Sequence, residues 1–143
     1  MTVVIRPATV DDAPGLTACI DAAYAPYVAK GLDLPPVSEG IACDIRDHHV
    51  WVATRSDRIV GGVVLVLRDA AHLANLAVHP DAGGQGLGQA LIATATNAAR
   101  AAGHDKLHLA THIEMTGTQD FYLWLGWVEA GRDGNKVYFE MQL

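Results

Sequence analysis

The sequence predicts an α/β fold, an α+β arrangement in which a mixed, mostly antiparallel sheet carries about four helices. Three observations predict it. Two runs rich in β-branched residues, Val50 to Thr54 and Ile59 to Leu67, flank Arg55-Ser56-Asp57-Arg58 in the manner of a hairpin. A strand-like run, His72 to Val78, feeds a glycine-rich loop and an alanine-rich helix. A closing pair of strands, Trp127 to Ala130 and Lys136 to Gln142, is joined by the turn signal Asp133-Gly134-Asn135.

The elements follow in order. Val3, Ile5 and the halting Pro7 give a first strand, and Thr9-Val10-Asp11-Asp12 supplies a cap and acidic first-turn residues for a helix to about Tyr24. Pro26 is expected to break that helix, and Pro35-Pro36-Val37-Ser38 to frame a shorter one through about Arg46. After the hairpin, the run His72 to Val78 stops at His79-Pro80. Leu87, Leu91, Ala95, Ala98 and Ala102 recur at helical spacing until Gly103. Lys106 to Thr111 reads as a strand, and Thr116 to Leu125 as a helix ended by Gly126.

Composition narrows the function. The 143 residues fit one domain, expected to span 1–143, and with 50% hydrophobic and 18% charged residues the chain can bury a core. Its longest apolar run, Ile59 to Leu67, is about half the roughly 20 residues a membrane span needs, and the N-terminal residues lack the pattern of a secretory signal. No membrane association and a cytoplasmic location are the expectations. A formal charge of −6 argues against nucleic acid as partner, because such binding rests on Lys and Arg displacing phosphate counterions. Cys19 and Cys43 have no metal-type spacing and read as free thiols.

The segment Gly83-Gly84-Gln85-Gly86-Leu87-Gly88 between strand and helix predicts an anion site, since unpaired backbone N–H groups converge there and the helix dipole adds positive potential. It is not a Walker loop, because Gln89 and Ala90 stand where Lys and Ser or Thr are required. Nor is it a dinucleotide fingerprint, because Gln89 or Leu91 occupies the place of the third glycine.

The order of motifs resembles that of the GNAT superfamily of acyl-CoA-dependent N-acyltransferases over nearly the whole chain. The carrying segments are Ile5-Arg6-Pro7-Ala8-Thr9 with Asp11-Asp12, Ile59-Val60-Gly61-Gly62, Leu76-Ala77-Val78-His79-Pro80 leading into Gly84-Gln85-Gly86-Leu87-Gly88, and Phe121-Tyr122-Leu123-Trp124-Leu125-Gly126-Trp127. The resemblance implies a sheet splayed between its fourth and fifth strands, with acetyl-CoA in the splay. It implies that the backbone of Leu76, Ala77 and Val78 pairs with the pantetheine arm, and that the N–H groups of Gly83, Gly84, Gln85, Gly86, Leu87 and Gly88 hold the pyrophosphate. Two motifs depart from the family pattern. Gly83 stands where Arg or Gln is usual, and Met115 and Thr118 replace an Asn-x-x-Ala start. CoA binding carried almost wholly by backbone N–H groups is expected to be weaker and more salt-tolerant for it.

Acyl transfer to nitrogen needs a neutral amine, and an alkylamine is only about 0.1% neutral at pH 7, so a general base assists. The resemblance places Tyr122 as proton donor to the departing CoA thiolate, a transfer that is modestly uphill from phenol to thiol. His72 is the first candidate base, titrating near neutrality and, by strand alternation, sharing a face with Leu76 and Val78. Glu114 is the second. Tyr24 and Tyr27 fall where the family varies its acceptor contacts. His104, His108 and His112 recur every four residues, but in a strand they do not converge, so no metal is expected.

The sequence therefore reads as an N-acetyltransferase moving acetyl from acetyl-CoA directly to a primary amine of a small molecule or peptide. A non-catalytic acyl-CoA-binding or regulatory module, and an acyltransferase using another acyl-CoA such as succinyl or malonyl, stay open as alternatives. The alternation of Val137, Phe139, Met141 and Leu143 suits a homodimer edge and equally a single buried face.

Overall fold

The computed structural model describes residues 2–34 and 38–143. Seven strands, β1 (Val4–Pro7), β2 (His49–Arg55), β3 (Arg58–Leu67), β4 (Ala71–Val78), β5 (Lys106–His112), β6 (Val128–Asp133) and β7 (Lys136–Gln142), form one sheet in the order β1-β2-β3-β4-β5-β7-β6. Four helices, α1 (Ala13–Ala29), α2 (Ile41–Asp47), α3 (Leu87–Ala101) and α4 (Thr116–Trp124), cover it. All pairings are antiparallel except β4 with β5, which run parallel and pair only at Ala71↔Leu107 and His72↔His108. Beyond His72 the two strands part, which is the splay.

Local chemistry accounts for the elements. Arg55 pairs with Arg58 across a two-residue turn in which Ser56 and Asp57 both take positive φ, the backbone that matches the twist of a hairpin. The β6–β7 turn pairs Asp133 with Lys136 and places Gly134 at φ +60°. Ahead of α1, Arg6 holds Asp12 through two charge-assisted bonds of 2.8 and 2.9 Å, while Asp12 accepts the Thr9 N–H. The guanidinium keeps that carboxyl at about 2.

Helices pack on both faces. Leu16 and Ile20 of α1 and Ile41 of α2 bury against Val50, Val52 and Val64, whereas Leu87, Leu91 and Ala95 of α3 bury against Val63, Leu65, Leu73, Leu107 and Phe139. Gly61 and Gly62 let both layers approach β3. A Cβ at Gly61 would sit 3.1 Å from Leu91 and 3.2 Å from Leu87, and one at Gly62 would strike Leu16. On β7, Val137 and Phe139 are fully enclosed in this core, which by itself explains their alternation.

Three expectations are corrected or fall outside the described residues. Pro26 does not break α1; the helix runs through it to Ala29, because one missing N–H near an exposed helix end costs a single bond and Lys30 N–H still reaches the Pro26 carbonyl at 3.3 Å. The Pro35-Pro36-Val37 segment lies outside the described residues, and the second helix itself begins at Ile41. His72 does not share a face with Leu76 and Val78. Leu65 pairs with Leu73 but Val64 pairs with Asn75, so Ala74 is an extra residue in β4, a bulge that reverses the alternation. Leu73, Leu76 and Val78 all join the α3-side core, and His72 points to the α1 side. No helix among the described residues is long and apolar enough to cross a membrane.

Candidate active site

The splay opens an inner cavity of about 630 Å³ and an outer one of about 670 Å³, joined along Tyr24, Ala74, Ala110, Thr111 and Met115. The inner cavity runs along β4 from Ala74 to Val78, past the glycine segment and under α4 to Tyr122. The outer cavity lies on the α1 side, walled by His72, His112, Asp33, Asn135 and Lys136. The two therefore meet through the gap where β4 and β5 no longer pair.

The inner cavity is long, and no side chain lining it, among the described residues, carries a charge. Pairing of β4 with β5 ends at His72, so an extended ligand can run along the β5 side of β4 beyond that point. At the far end Gly86 precedes α3 with φ +74° and Gly84 takes +75°, and among the described residues no N-cap side-chain bond forms, so the first-turn N–H groups of a helix that starts beside the cavity stay available to an anion. Gly83 lines the cavity, but its own N–H is donated to the Pro80 carbonyl at 3.3 Å. The loop is braced from below, where the His79 Nδ1 accepts the Asp81 N–H at 3.1 Å and Arg58 pairs with Asp81 at 3.3 Å.

Tyr122 is buried, packed against Phe121, Trp127 and Phe139 with ring centroids 5.4, 5.5 and 6.2 Å away. Desolvation, reinforced by the Tyr24 phenol, holds its pKa well above an ordinary phenol, so the group keeps its proton at every working pH. Tyr24 lines both cavities and its ring lies 6.2 Å from that of Tyr27, which lines only the inner one. Tyr24 thus stands at the junction.

Three candidate bases are separated by geometry. His72 lines the outer cavity with its ring 5.6 Å from His108, and desolvation, His108 and Arg68 together hold its pKa below the ordinary imidazole value. It is neutral and able to accept at pH 7. Glu114 is exposed and lines neither cavity, because Met115 takes the inward position in that turn. His112, which sequence reasoning treated only as a rejected metal ligand, is buried in the outer cavity, but its Nδ1 accepts the Glu114 N–H at 3.1 Å. Its neutral tautomer then carries the proton on Nε2, as a donor. Lys136 was also missed. It reaches the outer cavity because β7 pairs it with His112, a long-range register that no local pattern reveals. Among the described residues no group of three or more His, Cys, Asp or Glu side chains could hold a metal ion.

A mixed sheet parted at β4 and β5, with a cleft that among the described residues has no charged lining and ends at the α3 N-terminus, is the arrangement that the sequence resemblance implies for an acyl-CoA site. Residues 46–129 match the acetyltransferase (GNAT) domain. Over 135 residues the chain is 30% identical to aminoalkylphosphonate N-acetyltransferase of Salmonella typhimurium, covering 88% of this chain and 85% of that protein. The structure of PaiA N-acetyltransferase from Thermoplasma acidophilum in complex with coenzyme A superposes over 100% of both chains with a TM-score of 0.89 at 18% identity. IAA acetyltransferase from Bacillus cereus gives 0.77 over 99% of this chain and 100% of that one, at 19% identity. The chain belongs to the GNAT family and is an acetyl-CoA-dependent N-acetyltransferase.

Proposed function

We propose that the enzyme moves acetyl from acetyl-CoA directly to the primary amine of a small molecule, with the donor in the inner cavity and the acceptor in the outer one. The observation that carries this is that the two cavities share lining at the β4–β5 gap, Tyr24, Ala74, Ala110, Thr111 and Met115, which lets two substrates meet there. In this reading the pantetheine arm lies along Leu76, Ala77 and Val78, and the N–H groups of Gly84 to Gly88 hold the diphosphate. His72 takes the proton from the acceptor ammonium and a β4 N–H, that of Leu76 or a neighbour, holds the oxyanion. Tyr122 gives its phenol proton to the departing thiolate and recovers one from the attacking nitrogen as that nitrogen becomes the amide. The dry pocket that raises the phenol also raises the thiol it must protonate, which narrows the gap that desolvation alone would open.

The outer cavity favours an acceptor with an acidic end. Lys136 and the Nε2–H of His112 are donors for an anion, and Asp33 is a partner for the ammonium. The aminoalkylphosphonate specificity named for the Salmonella relative has this polarity. A panel of aminoalkylphosphonates, amino acids, unsubstituted alkylamines and peptides, followed by CoA thiol release and product mass, tests the reading. Turnover confined to peptides would overturn it. At saturating acceptor the rate is expected to rise with pH through a pKa below the usual imidazole value and then level. That limb is expected to disappear in His72→Ala.

Because no charged side chain among the described residues lines the inner cavity, CoA affinity is expected to depend weakly on salt. Calorimetric titrations at about 50 mM and about 500 mM salt should agree within roughly threefold, since few counterions are released when backbone dipoles replace Lys and Arg.

A further inference from the structure

We propose that Trp124 is the platform on which the adenine base of CoA stacks. The proposal rests on the reading of the inner cavity as the CoA site. Trp124 is 75% exposed, whereas Trp127, three residues on, is 1% exposed. Single exposed apolar residues need no explanation, but this one walls the inner cavity together with the glycine segment.

Helix geometry says which part of the ligand it meets. Gly117, Phe121 and Trp124 follow at four and then three residues, so they form one stripe along α4, and all three line the cavity. The stripe is registered on the anion cradle, because a Cβ at Gly88 would sit 3.4 Å from Phe121 Cζ. Met115, just before α4, lines both cavities and marks the end where the acetyl group and the acceptor meet. Trp124 is at the opposite end of the helix, about one turn beyond Phe121, or roughly 5 Å. A ligand with its thioester near Met115 and its diphosphate at the glycine segment brings its adenosine to Trp124.

The chemistry agrees with the position. With no Lys or Arg among the described lining residues, the distal end of CoA has no ion pair to hold it. An indole face offers what remains, offset stacking on a purine, which needs no charge.

The test compares CoA with 4′-phosphopantetheine, which keeps the thiol arm and lacks adenosine, by calorimetry on the wild type, Trp124→Ala, Trp124→Phe and Leu123→Ala. Leu123 is the neighbouring exposed apolar residue on α4 and lines neither cavity. Trp124→Ala is expected to weaken CoA about tenfold while 4′-phosphopantetheine stays within about twofold, and Trp124→Phe to recover most of the loss. Leu123→Ala is expected to match the wild type. Unchanged CoA affinity in Trp124→Ala, or an equal loss for both ligands, overturns the proposal and leaves the cavity reading intact. A wild-type dimer that Trp124→Ala dissociates in sedimentation, with CoA affinity unchanged, overturns it in favour of a contact between copies. Failure of the wild type to bind CoA at all sinks the cavity reading and the proposal together.

Discussion

Replacing Tyr122 by Phe is expected to lower kcat by about two to three orders of magnitude, the range for losing a positioned proton donor. The ring stays wedged among Phe121, Trp127 and Phe139, so the variant keeps its core and loses one oxygen. Without a donor the thiolate must leave unprotonated into a desolvated pocket. Steady-state kinetics following thiol release check this, and the KM for acetyl-CoA should move little because the hydroxyl acts late on the sulfur. The elevated phenol pKa adds a condition: the wild-type profile should show no loss of rate from Tyr122 ionisation up to the ordinary phenol range. Turnover undiminished in Tyr122→Phe would remove the residue from the mechanism.

Gly86→Asp is expected to raise the Kd for CoA at least about a hundredfold while leaving the fold in place. Gly86 is the N-cap of α3, its φ of +74° is one that Asp and Asn tolerate better than other side chains, and open space surrounds a Cβ there. The new carboxylate favours the helix dipole by about 0.3–1 kcal/mol but faces the bound diphosphate, where like charges near 4 Å repel by about 4 kcal/mol at intermediate dielectric. Thermal unfolding without ligand should shift by only a few degrees. Gly86→Asn, with the same shape and no charge, should retain affinity within about tenfold. An equal loss in both variants would show that backbone conformation, and not charge in the cradle, governs binding.

Much of the fold is legible along the chain because its signals are local. The hairpin at Ser56-Asp57, the glycine segment before α3 and the turn at Gly134 are each set by a few residues, and all stand where pattern reading puts them. Pro26 misleads because propensity weighs the missing N–H and cannot see that α1 is nearly finished. His72 misleads for a different reason. The bulge at Ala74 is an event between β3 and β4, and alternation along β4 alone cannot contain it.

Glu114 and Lys136 exchange importance on the same grounds. Both are charged residues beside turns, and only the β5–β7 register brings Lys136 to the outer cavity while the turn at Met115 leaves Glu114 in water. Trp124 follows the same rule. Its spacing marks a stripe with Phe121, but whether that stripe meets water, core or cleft depends on how α4 sits over the splay.

The sequence alone determined the family, the mixed splayed sheet, the acetyl donor and the candidate residues, because those reside in local motifs and their order. The tertiary structure decided which candidates share a cavity, which face His72 occupies, and that the inner cavity has no charged wall among the described residues. The physical reason is that side-chain convergence depends on strand register, bulges and helix placement, and these are settled by contacts between segments far apart in the chain.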